Sequence, residues 1–241
     1  MPPSSSTSGF RLPIPASLLN PSRIRTYLLR LPLFTRFTVL AVLLFWILEL
    51  QTVWSVIEWG SITPSKIGPL SGGMYRLNTF VFVHLGFFHM LFNLICLVPL
   101  IERFEAEFGT LVSFALFMGP FATIPAGLYI IIEHYIFGWD TVVVGSSIWI
   151  FLLLASESIK TWKQNPTLNI GDVKIPTWIW PCVLAVVTSI LVSGTSFLGH
   201  LCGLATGYAC KCSSIPTRLP SNGVHRGPGL YPLLSSARKG P

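Results

Sequence analysis

Apolar residues in this chain come in long runs, and that arrangement limits the fold more than any other feature. Six apolar segments follow one another at 37–57, 77–101, 111–132, 142–156, 177–193 and 194–210. A spanning helix needs about 20 residues to cross roughly 30 Å of hydrocarbon, and the first three segments meet that length. The fourth, Val142 to Ser156, makes only about 22 Å of helix. It is expected to begin below the membrane surface. Irregular backbone at that depth is tolerated where it is buried in protein or lines water. The run from Ile175 to Ala209 is too long for one crossing, and the small polar cluster Ser193-Gly194-Thr195-Ser196 divides it. Charged residues are only 10% of the chain, against about 25% in a soluble domain. The expected fold is an all-α membrane protein with six transmembrane helices.

Six crossings put both termini on one side. Of the 16 Lys and Arg residues, all but Lys66 and Arg76 fall on that side, so the positive-inside rule makes the termini cytosolic. The expected organisation is a basic cytosolic segment at 1–36, a six-helix domain at 37–212 and a disordered cytosolic tail at 213–241. Within the first segment, Arg23 to Arg36 mixes arginines with leucine and phenylalanine, as a stretch lying on a membrane surface does. The tail run GPGLYPLL is a candidate motif for a cytosolic partner. The net charge of +7 sits in flanks and loops, so no nucleic-acid partner is expected. Zinc-ligand spacing and a glycine-rich phosphate loop are both missing from the sequence, so neither metal nor cofactor is expected. The five cysteines lie mostly in apolar segments, which does not suit a disulfide framework.

Ser147 and His200 carry the chemistry. Polar and ionisable side chains inside a membrane face the bundle interior or a cavity. A hydroxyl and a base able to take its proton are the minimum for nucleophilic catalysis. With the termini cytosolic, the fourth and sixth helices both enter from the outer face. Ser147 is then five residues into its helix, about 8 Å down, and His200 six residues past Gly194, about 9 Å down. No other serine–histidine pair is expected in the core. Gly199, Gly203 and Gly207 make a small-residue stripe beside His200. Such a stripe allows close approach of a neighbouring helix, either as plain packing or to bring His200 to Ser147. His89 and Asn93 are four apart and share a helix face. They are either hydrogen-bond donors to an oxyanion or interhelical polar contacts.

HLGFFHMLFN ending in His89 and Asn93, VVVGSSIWIF with Gly145 and Ser147, and FLGHLCGLATG with His200 and Gly203 together resemble the rhomboid intramembrane serine proteases. The resemblance spans about residues 37–212. The short six-helix core and the Gly-Ser-Ser form of the nucleophile motif look like the fungal rhomboids of the secretory pathway. The resemblance implies that Ser147 is the nucleophile and His200 the general base, with no acidic third member. It implies an oxyanion hole made by the Ser147 backbone N–H, His89 and Asn93. Gly145, Phe151, Gly199 and Gly203 would support the site, with Phe151 packing on the histidine. Glu105 or Glu102 would be the family's acidic residue before Gly109. Single-pass membrane proteins would be the substrates, cut within the bilayer, and the location a Golgi or other secretory or endosomal membrane. Two positions depart from the family pattern. Ile148 stands where glycine is usual, and a β-branched residue there is expected to stiffen the backbone beside the nucleophile. The loop 58–76 lacks the frequent Trp-Arg pair.

A catalytically silent rhomboid-like protein that binds membrane clients for degradation is the alternative, although both Ser147 and His200 are present. A transporter would show more ionisable residues at mid-membrane and paired repeats. Here Glu49 is the main mid-helix acid, and no repeat is apparent.

Overall fold

The computed structural model describes residues 21–68, 72–170, 173–192 and 194–210. The first twenty residues and the tail from Lys211, with its GPGLYPLL run, lie outside the described residues. The chain divides into one unit of residues 1–211 and a second of 212–241. The described residues belong to the first.

That unit is mostly helical. A short α1 (Pro21–Arg30) leads into α2 (Leu33–Glu49). The loop that follows carries the single turns α3 (Val56–Gly60) and α4 (Arg76–Thr79). Then come α5 (Phe87–Phe108), α6 (Thr110–Phe117), α7 (Pro120–Ile130) with a π-helical extension at Ile131–Ile136, and α8 (Ser147–Gln164). A hairpin of β1 (Thr167–Ile170) and β2 (Val173–Pro176) precedes α9 (Trp180–Leu191) and α10 (Phe197–Ala209). Among the described residues two helical stretches, Phe87–Phe108 and Thr110–Ile136, are long and apolar enough to cross a membrane, and Trp180–Leu191 is apolar but shorter.

Helix ends differ from the sequence reading in ways that matter to the site. Pro32 cannot extend a helix through its own nitrogen, so α2 starts at Leu33 rather than at residue 37. α2 also stops at Glu49, which places this acid in the last turn, not mid-helix. There Glu49 Oε2 accepts a hydrogen bond from Ile57 N at 3.1 Å. The second apolar segment is helical only from Phe87, so His89 is the third residue of α5. The fourth is helical only from Ser147 and runs on to Gln164. The two strands pair antiparallel, Thr167 opposite Pro176 and Asn169 opposite Lys174, and are a departure from an all-α fold.

α8 lies at the centre, packed against α5, α7, α9 and α10. Its residues Ile148 to Leu153 are all buried. Trp149 stands at the middle, edge-on to Phe82 and Phe117. At the opposite end from the site, α2 has no side-chain cap of its own. The buried Glu105 of α5 supplies one. Its carboxylate accepts from Phe34 N, Thr35 N and Thr35 Oγ1, each at 2.8 Å, and from Thr110 Oγ1 at 2.6 Å. Of the two candidate acids, Glu105 is the buried one and Glu102 is half-buried. Beside it, Arg103 pairs with Glu157, and Lys160 with Glu107 and Glu157, tying α5 to α8.

Candidate active site

The backbone entering α8 is built before any side chain is placed. Val143 pairs with Ile62 through two hydrogen bonds of 2.9 Å. The Asp140 carboxylate accepts from the Ser65 amide at 2.8 Å and from the Ser65 hydroxyl. Partial burial opposes ionisation of Asp140, but these two donors outweigh it and hold the carboxyl below its ordinary range. Arg76 fixes the other side of the same loop by donating to Glu58 O and Ser61 O. Gly145 N then donates to Phe80 O at 2.9 Å.

Gly145 has φ +107°, which L side chains rarely adopt. A Cβ there would sit 3.0 Å from His89 Cε1. Glycine is therefore needed twice, for the turn and for the close approach of the His89 ring. The turn ends the extended strand and starts α8 at once, making Ser147 its first residue. Ser147 is half-buried, whereas Ser146 before it is 0% exposed. Ile148 is the second helical residue and 2% exposed.

His200 arrives from α10. Ser196 caps that helix by accepting from Gly199 N, and His200 is its fourth residue, 2% exposed. The glycine stripe faces α8. A Cβ on Gly203 would lie 2.5 Å from Ile148 O, and one on Gly207 2.2 Å from Leu152 O. Gly199 has more room, its nearest neighbours being 3.4 Å away on Ser196. The approach seats the His200 ring on Phe151, one turn below Ser147, with centroids 4.4 Å apart and planes at 38°.

The remaining site residues form a second cluster. His89 and Asn93 are both buried. Asn93 Nδ2 donates to His89 O at 2.8 Å, and its Oδ1 accepts from Ser146 Oγ at 3.3 Å. Both ring nitrogens of His89 lack a hydrogen-bond partner, which leaves donor capacity beside Gly145. His84, just before α5, completes this cluster. It packs edge-on against His89 at 5.2 Å, and its Nε2 lies 3.4 Å from both Ser146 N and Ser146 Oγ. The core therefore does hold a second serine–histidine pair, contrary to the sequence expectation. With Ser146 at 0% and His84 at 1% exposure, that pair is sealed from any substrate. Among the described residues no hydrogen bond joins Ser147 to His200. The His200 Nδ1 atom is instead 3.2 Å from Ser189 Oγ of α9, a contact with no sequence motif behind it.

A rhomboid-domain family model matches residues 71–215. The chain is 54% identical over 217 residues to the Rhomboid-type serine protease B of Aspergillus fumigatus, covering 88% of this chain and 79% of that protein. It is 50% identical over 196 residues to the Rhomboid-type serine protease 2 of Neurospora crassa, covering 80% and 70%. To the Rhomboid-type serine protease 2 of Saccharomyces cerevisiae it is 32% identical over 174 residues, covering 71% and 65%. With these matches over most of its length, the chain belongs to the rhomboid family, a family of hydrolases.

Proposed function

We propose that this protein is an intramembrane serine endopeptidase that cuts transmembrane segments of single-pass membrane proteins with a Ser147–His200 dyad. The observation that carries this reading is the backbone-close packing of α10 on α8 at Gly203 and Gly207, which sets His200 against Phe151. His200 Nε2 takes the Ser147 hydroxyl proton as Ser147 Oγ attacks the scissile carbonyl. Negative charge then develops on the carbonyl oxygen. The Ser147 backbone N–H, free at the first position of a helix, stabilises that oxyanion with His89 and Asn93. His200 returns the proton to the leaving amine, and water repeats the sequence on the acyl-enzyme. Catalytic hydrogen bonds in a substrate-free enzyme are often long and tighten only on binding, so the hydrogen bond from Ser147 to His200 is assigned to the substrate-bound state.

The wider assignment follows the same reading. α2, α5, α6–α7, α8, α9 and α10 are six membrane crossings, with both termini cytosolic and residues 37–212 forming the protease domain. The membrane is that of the Golgi or another secretory or endosomal compartment. The tail 213–241 remains cytosolic, where its GPGLYPLL run is offered to a partner.

The test is labelling by a fluorophosphonate probe in reconstituted membranes. Wild-type protein is expected to label, and Ser147→Ala and His200→Ala are not. Absence of wild-type labelling would favour the silent client-binding alternative.

A further inference from the structure

We propose that Ser189 of α9 is a positioning residue for His200, holding the imidazole by Nδ1 so that Nε2 is the basic nitrogen. This rests on the dyad reading above. A catalytic base needs a third group to orient it, and the ring nitrogen bonded by that group decides which nitrogen carries the proton. In His200 that place is shared by Ser189 Oγ, 3.2 Å from Nδ1, and the carbonyl of Ala185 one turn earlier in α9, an acceptor that favours hydrogen on the nitrogen facing this helix. When Nδ1 carries hydrogen it donates to this hydroxyl, and Nε2 is left with its lone pair.

Three features make the contact more than a chance approach. First, α9 presents one face to the site. Ala185, one turn before Ser189, is 0% exposed and packs in a cluster with Phe151, Ala155 and Leu204, and Cys182 packs on the same cluster. Positions 182, 185 and 189 follow helical spacing. The opposite side, with Ile190 and Leu191, is 76% exposed. Second, Phe151 covers one face of the His200 ring, so packing limits the ring's tilt and a hydrogen bond at Nδ1 limits its rotation. Third, the neighbouring hydroxyl Thr188 is occupied by Leu184 O and Ala185 O of its own helix. Ser189 instead turns its hydroxyl to another helix. The arrangement uses a neutral hydroxyl where soluble serine proteases use a buried carboxylate, and so places no ionised group within the bilayer.

The experiment compares Ser189→Thr, which keeps the hydroxyl, with the near-isosteric Ser189→Val, which removes it, in full-length protein in lipid. Ser189→Val is expected to lower both the fluorophosphonate labelling rate and kcat about tenfold, the effect of losing one ordinary hydrogen bond, with KM unchanged. Ser189→Thr is expected to stay within about threefold of wild type, and melting temperatures should agree across all three proteins. The nitrogen NMR signals of the His200 ring give a readout independent of activity. Nδ1 should be protonated in wild type and Ser189→Thr, and exchange between tautomers should appear in Ser189→Val. Equal losses in Thr and Val variants, or full kcat with an unchanged tautomer in Ser189→Val, would overturn the proposal. Wild-type protein that neither labels nor cleaves would instead overturn the protease reading, and the tautomer signals would still decide what Ser189 does.

Discussion

Ser146 and Ser147 are adjacent hydroxyls with opposite surroundings, and that contrast assigns their work. Ser146 is sealed between His84 and Asn93, whereas Ser147 remains half-buried at a helix start. Ser146→Ala should therefore leave labelling at Ser147 intact but slower, while Ser147→Ala should remove it; a probe adduct mapped by mass spectrometry distinguishes the two. His89→Ala or Asn93→Ala should each lower kcat by roughly 10²–10³, the value of one oxyanion donor, without abolishing turnover, because the Ser147 amide stays in place. Steady-state cleavage in both mutants checks this, and unchanged rates would reduce the two residues to packing. His89 and Asn93 could be read as a pair because their four-residue spacing lies within one segment, and Ser147 and His200 were proposed because each sits in a short small-residue motif inside its own apolar segment. The sequence could not carry Ser146–His84, which joins two irregular stretches just before α5 and α8, or Ser189–His200, which joins two helices and depends on how each is rotated.

At the scale of elements, glycine stripes make graded predictions. Gly203→Ala and Gly207→Ala each push a Cβ into backbone oxygen of α8, which has no rotamer to yield, whereas Gly199→Ala meets only Ser196 and Val143 at ordinary distances. Activity and melting temperature should fall together in the first two and barely move in the third. A stable, active Gly203→Leu would show that α10 does not pack on α8 in this way. Glu105 offers a second test. Replacing it by Ala strands two amides at the start of α2 and should destabilise the protein by on the order of 3 kcal/mol, measured by denaturation in detergent; an unchanged midpoint would sink its capping role. Apolar runs announced that helices exist but misjudged where they begin. The start of α8 was set five residues early because Val142 to Val144 are as apolar as any helical residue. Their strand geometry comes from Ile62, far away in sequence. The hairpin of β1 and β2 was missed for a related reason: ten residues of mixed polarity carry too little pattern to declare a strand pair.

For the molecule as a whole, the proposed dyad, if reached from the outer face as proposed, would cut only backbone that unwinds to meet it. An intact client helix hides its carbonyls in its own hydrogen bonds. Clients with glycine or proline near the outer end of their spanning helix should be cut, and replacing those residues with leucine should suppress cleavage. Undiminished cutting of the all-leucine helix, or a cut mapped to the cytosolic half, would contradict this account. The class of molecule was legible from the apolar runs, since lipid forces every backbone group to find a partner within the protein. The loop that aligns the nucleophile has a different dependence. Asp140 and Ser65 lie 75 residues apart in the chain, in the two segments that also pair at Val143 and Ile62. The Asp140–Ser65 pair is exposed, and exposed contacts between loops open at lower free energy than a packed core, so this clasp is expected to open before the helices separate. On heating, the enzyme should therefore go silent while its helical content is still intact, and on cooling, helices should return before activity does. That outcome would make its working temperature range a property of two loops clasping each other and not of the strength of the helices.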